Sequence, residues 1–344
     1  MTRKDLAPLF AIAGALLLGA VLMLATGHDP FQGYAAMVRG ALGGRGAANL
    51  AATLNRAVPI VGMGLAAAVA FRAGFFNIGG EGQLVLGGIA AAVVALHLPL
   101  PGILVIPLAI LAAAFAGGAY AWLAAFLDFR FQMPLLITSL LMIYPARLLV
   151  SYLVSHPLRD IASGLTQTSR VSPESVLPKL FGTRIGSGLV IVVLLVGLAQ
   201  WILVRTRFGY HLRMTGLNAR FSRYGGVDVE RLGYRVMFLS GATAGLIGAL
   251  QVLGVHYRYI DGSLTQPLYA WVGIMVALLA GSRPLGVLLA GLFFAGVQTG
   301  GFGMERATDI PREISQVIQA LIILLIAARS RFQVVDRAKS EEAV

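Results

Sequence analysis

The polarity pattern of the chain is a succession of apolar runs separated by short polar joints. An apolar stretch of roughly 20 residues is what a helix needs to cross a bilayer. Ten such runs are expected to be helices: residues 6–26, 57–71, 84–97, 101–127, 134–154, 187–204, 233–255, 267–281, 284–300 and 313–329. Leu98-Pro-Leu-Pro101 forces a sharp turn between two of them. The period-2 alternation of a membrane β-barrel is absent. The fold class is therefore all-α and polytopic, read as a single membrane domain over residues 1–344.

The joint at residues 71–88, Phe-Arg-Ala-Gly-Phe-Phe-Asn-Ile-Gly-Gly-Glu-Gly-Gln-Leu-Val-Leu-Gly-Gly, is unlike the others. Gly74, Gly79, Gly80 and Gly82 crowd a short span that also holds Asn77, Glu81 and Gln83. Glycine costs about 1 kcal/mol against alanine inside a helix and permits turns and close backbone approach, so the helix breaks here. At membrane depth, irregular backbone survives where protein buries it or where it lines a wet cavity. Two readings stay open: a break lining a solute path, with Asn77, Glu81 and Gln83 on it, or a polar turn at the membrane surface. An intramembrane acid is expensive and needs a partner or a role. Arg72 is the candidate partner for Glu81.

A second helix–break–helix pattern follows at 233–281, with Tyr257, Tyr259, Asp261, Gly262, Ser263 and Gln266 in the break. Two units of this kind running in opposite directions form an inverted repeat around a central site: a first repeat over about 57–154 and a second over about 233–329. Tyr257 and Trp271 can stack on a ring of a solute, or serve as ordinary interface aromatics.

Composition sharpens this picture. The 344 residues are 58% hydrophobic and 12% charged, with a mean hydropathy of +0.81. The net charge of +12 would suggest nucleic acid for a soluble chain, but arginines at cytoplasmic membrane edges give a basic sum without such a partner. Placing both termini in the cytoplasm puts sixteen of the 27 Lys and Arg residues inside. That orientation makes 6–26 a retained first helix, 27–56 an outer segment with an amphipathic surface helix, 155–186 an outer loop, 205–235 a cytoplasmic loop and 330–344 a cytoplasmic tail. Without cysteine there is no disulfide framework and no thiolate metal site. The five histidines are scattered, and no catalytic or metal set is selected. The lysines at 4, 179 and 339 end no phosphate-binding Gly-Lys-Ser/Thr loop. If ATP drives this protein, the ATPase is another chain.

The 205–235 loop is the strongest polar block between two runs. It reads either as a solvated basic loop facing anionic lipid or as a knob of short helices. Gly225 and Gly226 can turn the chain, and Asp228 can cap the next helix.

Phe76-Asn-Ile-Gly-Gly-Glu-Gly-Gln83, followed by a Gly/Ala-rich helix, resembles the motif of ABC-importer permeases of the nucleoside and simple-sugar type, closest to the nucleoside branch. Gly216-Leu-Asn218 and Gly225-Gly226 ahead of Ser240-Gly-Ala-Thr-Ala-Gly-Leu246 are similar to that family's coupling region. Gly273-Ile-Met-Val-Ala-Leu-Leu-Ala-Gly281 with Arg283-Pro-Leu-Gly286 is similar to its last helix pair. The likeness spans roughly residues 50–330. It departs where Ala219 is followed by Arg220 instead of a second alanine.

The resemblance implies a nucleoside or related small polar solute as cargo, with a simple sugar second. Read from the residues alone, the rival is an ion-coupled secondary transporter using intramembrane acids, for which Glu81 and Asp261 are the candidates and which leaves the basic 205–235 block unexplained. It implies cytoplasmic ABC ATPase subunits that hold the ATP and magnesium, with no cofactor on this chain. A second homologous permease forming a heterodimer, a substrate-binding protein and a bacterial inner membrane follow likewise. Arg213, Gly216, Leu217, Asn218, Arg220, Phe221, Arg223, Tyr224 and Gly225 are then the ATPase-coupling residues. Gln316 and Gln319, in the last run, read as interhelical hydrogen-bonding groups.

Overall fold

The computed structural model describes residues 7–43, 48–322 and 324–325; the tail at 330–344 lies outside them. The helices are α1 (Ala7–Ala25), α2 (Pro30–Leu42), α3 (Ala48–Arg72), α4 (Gly80–His97), α5 (Gly102–Phe131), α6 (Leu135–Leu141) and α7 (Ile143–Ser155). There follow α8 (Gly188–Arg205), α9 (Arg207–Leu217), α10 (Ala219–Tyr224), α11 (Val229–Gln251), α12 (Tyr269–Leu279) and α13 (Pro284–Ala307). Among the described residues there is no β-strand; isolated bridges such as Arg159 with Thr168 tie the 155–186 loop.

Seven described helical spans are long and apolar enough to cross a membrane, or eight if a bent pair counts as one. The ten apolar runs are thus not matched one for one. The run at 267–281 gives the short α12, and the last run is described as the short helix Glu313–Ile322 with its end outside the described residues. The run expected to begin at 57 begins at Ala48, since α3 carries Pro59 within its length. The first part of the 27–56 segment is α2, capped by the Asp29 side chain accepting from the Phe31 amide and started by Pro30. It bends 120° from α1.

The chain divides into two units, residues 57–291 and residues 1–56 with 292–344. In the second, Met23, Met37, Met304, Ile314 and Ile318 build the core, and α2 crosses α13 at Gly40 and Gly303, where a Cβ on Gly40 would lie 2.6 Å from the Gly303 Cα. This crossing follows the rule that small residues let membrane helices approach closely.

In the larger unit, α11 is the central packing element. Its Ser240-Gly-Ala-Thr-Ala-Gly-Leu246 segment lies in the middle of the helix and carries the small residues that receive α4 and α5. A Cβ on Gly245 would meet the Ala113 carbonyl oxygen at 2.1 Å, and one on Gly87 would meet the Gly245 Cα at 2.3 Å. A Cβ on Gly117 would meet the Gly241 carbonyl oxygen at 2.4 Å, so three helices converge on one stripe. The α6–α7 break at Met142 has a local cause: Pro145 lacks the amide that would bond Leu141. The Tyr120 hydroxyl donates to the Met142 carbonyl at 2.6 Å, so the kink leaves that group satisfied.

This packing predicts a contrast between two glycines. Gly245→Ala should cost about 1–3 kcal/mol, because backbone rather than a flexible side chain blocks the new methyl. Gly197→Ala in α8, with no neighbour within 4 Å of the new carbon, should be neutral or gain up to about 1 kcal/mol from helix propensity. Unfolding of both variants in mixed micelles measures the difference; equal midpoints would contradict the packing.

Candidate functional site in the break between α3 and α4

Helix α3 stops in a hydrogen-bonded glycine cap. Gly74 takes a positive φ of 83°, its amide bonds the Phe71 carbonyl at 3.0 Å, and the Phe75 amide bonds the Ala70 carbonyl at 3.1 Å. This is the Schellman arrangement, which satisfies carbonyls at a helix end. The chain then runs without a helical ladder until α4 begins at Gly80.

Side chains hold that stretch. The Asn77 amide nitrogen donates to the Gln83 side-chain oxygen and to the Ser240 hydroxyl, both at 2.9 Å. The Gln83 nitrogen donates back to the Asn77 oxygen at 2.9 Å, which also accepts the Gly79 amide at 3.1 Å. Ser240 passes its own proton to the Ala66 carbonyl at 2.7 Å. The Ile78 amide donates to the Ser139 hydroxyl at 3.2 Å. Asn77, Gln83, Ser139 and Ser240 are all buried. The network fastens the break to α3, α4, α6 and α11, and Asn77 uses both donors and both acceptor positions. A buried polar group left unpaired costs about 1–3 kcal/mol, so complete satisfaction is what lets this segment stay irregular.

The break also has a depth. Gly79 faces Ser139, and Gly82 faces Met142, Ile143 and Ala146, in the interior of the span Leu135–Ser155. Ser139 lies four residues from the start of that span, about 6 Å along a helix axis.

Glu81 stands in the first turn of α4 and is 4% exposed. Its carboxylate lies 3.4 Å from the Arg147 guanidinium of α7, and the Trp271 indole is within hydrogen-bonding reach of it. The positive end of the α4 dipole favours the same charge. Arg72 is not the partner of Glu81. It caps the foot of α3, reaches the Ser282 carbonyl at 3.5 Å and feels the charges of Arg213 and Arg283, because the intervening segment carries Glu81 away from it.

Among the path candidates, the structure brings Asn77 and Gln83 into one network and Glu81 together with Trp271. Tyr257 faces elsewhere: the Arg170 guanidinium sits 5.3 Å over its ring, and its carbonyl accepts the Val171 amide at 2.9 Å. The second break is thus sewn to the 155–186 loop. Its buried Tyr259 is the residue that feels both Glu81 and Arg147. Arg147 and Ser139 escaped the sequence reading, while Ser240 and Tyr259 were placed in their segments without a role at this site. A guanidinium in the middle of an apolar run was the signal for the first of them, since such a charge also demands a partner.

The second candidate region is a pair of short helices. Thr206 caps α9, its hydroxyl accepting from the Gly209 amide at 3.1 Å. Asn218 ends α9 and caps α10, its side-chain oxygen accepting from the Phe221 amide at 3.0 Å. Gly225 and Gly226, the latter at φ 81°, turn the chain to Asp228, which caps α11 through the Arg231 amide at 3.0 Å. The Thr215 and Ser222 hydroxyls, buried and 2.9 Å apart, pin α9 to α10. A Cβ on Gly216 would lie 2.1 Å from the Arg72 carbonyl oxygen, so α9 lies against the foot of α3. Leu217, Phe221 and Tyr224 project outward, 82%, 59% and 93% exposed.

The pairing of Glu81 predicts a specific stability pattern. Arg147→Met should cost about 1–3 kcal/mol by leaving a buried carboxylate short of a partner. Adding Glu81→Gln should recover part of that loss, since both charges are then gone. Chemical unfolding of the three variants in micelles checks it; strictly additive costs would mean that the two side chains do not interact.

Residues 49–327 match the family described as the branched-chain amino acid transport system permease component. The guanosine ABC transporter permease protein NupP of Bacillus subtilis is 34% identical over 331 residues, covering 94% of this chain and 93% of that protein. The glucose ABC transporter permease protein TsgB13 of Haloferax volcanii is 33% identical over 337 residues, covering 95% and 88%. The nucleoside ABC transporter permease protein NupB of Lactococcus lactis is 32% identical over 354 residues, covering 99% and 96%. No solved structure matches the chain. With several helices fit to cross a bilayer and a match over most of its length, the chain belongs to the branched-chain amino acid transport system permease family and is a multi-pass ABC-transporter permease subunit.

Proposed function

We propose that this permease moves a nucleoside or a related small polar solute inward across a bacterial inner membrane, driven by ATP hydrolysed on separate ATPase subunits. The observation that carries this reading is the α9–α10 pair. It presents three exposed apolar side chains, yet it is capped at each end, pinned internally and seated against the foot of α3. A load applied to Leu217, Phe221 and Tyr224 passes to α11 through the Gly225-Gly226 turn and to α3 through Gly216. Both helices border the break that holds Asn77 and Gln83. Movement of the pair is therefore movement of the break.

In this reading Leu217, Phe221 and Tyr224 enter a groove of the ATPase, while Arg213, Arg220 and Arg223 set its orientation. Buried aromatic anchors carry most of an interface's energy, and charges govern encounter and register. Gly216, Asn218 and Gly225 shape the pair. The α9–α10 face and both termini are cytoplasmic. Asn77 and Gln83, whose amides are spent on one another, hold the wall of the solute path in shape, while Glu81 and Trp271 border it, and the indole suits a ring-bearing solute. A substrate-binding protein delivers that solute, and a second homologous permease completes the pathway. The chain itself hydrolyses nothing. The nucleoside choice is supported by the likeness to NupP and NupB; the likeness to TsgB13 makes glucose the second choice.

Inside-out membrane vesicles should bind the cognate ATPase, and right-side-out vesicles should not. Liposomes carrying the assembled transporter should accumulate guanosine in preference to glucose when ATP is supplied on the ATPase side. Phe221→Asp should leave insertion intact and reduce both ATPase capture and uptake by at least tenfold. Wild-type capture and uptake in that variant would remove α9–α10 from the coupling route. Uptake that ignores ATP and follows an ion gradient would instead identify a secondary transporter.

A further inference from the structure

The unit formed by residues 1–56 and 292–344 contains a cavity of about 920 Å³ that the transport reading does not use. It lies between α2, the first turns of α3 and the end of α13. Arg39, Arg56 and Arg306 line it, and among the described residues no carboxylate does. Arg39 and Arg306 make no ion pair with another described residue. Arg56 lies 4.5 Å over the Phe302 ring and Arg312 5.1 Å over the same ring; Arg312 is also paired with Glu313 at 3.3 Å. On the cavity wall, the Thr299 hydroxyl oxygen is buried and has no hydrogen-bond partner among the described residues.

We infer that this cavity holds the phosphate-bearing headgroup of an anionic phospholipid. Guanidinium groups match phosphate oxygens in charge and in fork geometry. Thr299 supplies a hydroxyl donor to the same phosphate. The volume is far larger than a bare phosphate ion needs and takes the glycerol as well. Phe31 also lines the cavity and is 86% exposed; Val38 and Leu42 continue the exposed apolar surface along α2, and Leu17, Val21 and Leu24 do so on α1. Acyl chains leaving the cavity have an apolar surface to follow, which a soluble anion would not use and an acidic protein would not prefer.

The test is lipid retention by the full-length chain purified from membranes in mild detergent and read by native mass spectrometry after exchange with defined lipids. The chain should keep one phosphatidylglycerol at least tenfold in preference to phosphatidylcholine. Arg39→Gln with Arg306→Gln should bring the preference below twofold while the unfolding midpoint stays at the wild-type value. Arg306→Gln alone should lower it at least threefold, which gives a reading should the paired variant not be recovered. Equal retention of both lipids, or an unchanged preference in the variants, overturns the inference. So does emptying of the site by water-soluble glycerophosphate at equal concentration, which would make the ligand a soluble phosphate. Loss of binding-protein capture in the paired variant with lipid retention unchanged would make the cavity a protein contact instead.

Discussion

Backbone that leaves the helical ladder inside a packed protein must find its hydrogen bonds elsewhere, and the stretch between Gly74 and Gly80 does so through the side-chain amide of Asn77. Asn77 bonds Gln83 on α4, Ser240 on α11 and the amide of Gly79, and Ser240 extends the connection to α3. Because the hydrocarbon core offers no water, such bonds are obligatory. Four helices are therefore registered against one another by a few polar contacts, while α4, α5 and α11 also meet through small residues in close van der Waals contact. That contact comes within reach because Gly87, Gly117, Gly241 and Gly245 admit backbone against backbone.

The same division of labour explains how a permease can be both firm and able to move. Glycine stripes allow helices to slide without forcing large side chains past one another, and the polar network names the register that is stable at rest. Glu81 and Arg147 add a longer-range tie between α4 and α7 at 3.4 Å. The α9–α10 pair sits at the foot of this assembly, where Gly216 touches the end of α3 and the Gly225-Gly226 turn leads into α11.

Much of this was legible in the sequence, and the reasons are local. Apolar run length gave the helical class. Glycine spacing gave the break. Gly225-Gly226 and Asp228 gave the end of α10 and the start of α11, since caps and turns are fixed by residues within a few positions, while the Asn218 cap between α9 and α10 was not read. What was not legible depends on distant neighbours. Glu81 finds Arg147 rather than Arg72 because a Schellman turn and an extended segment intervene, and no short-range rule gives the direction in which they lead. Tyr257 and Tyr259 look alike in sequence, yet the second is buried against Gly88 of α4 while the first lies under Arg170 of the 155–186 loop. The start of α3 was missed because Asn55 and Arg56 interrupt the apolar run, although Pro59 and both polar residues lie within a continuous helix.

The most direct measurement is the reactivity of a single cysteine placed at Ile78, in a chain that has none of its own. If the break between α3 and α4 is the gate of the solute path, a water-soluble thiol reagent should label Ile78→Cys at least tenfold faster during ATP turnover with partners and cargo than at rest. Excess cargo held in the path should slow that labelling. Equal labelling in the two states, with transport intact, would show that the break stays closed throughout the cycle and that the solute crosses elsewhere.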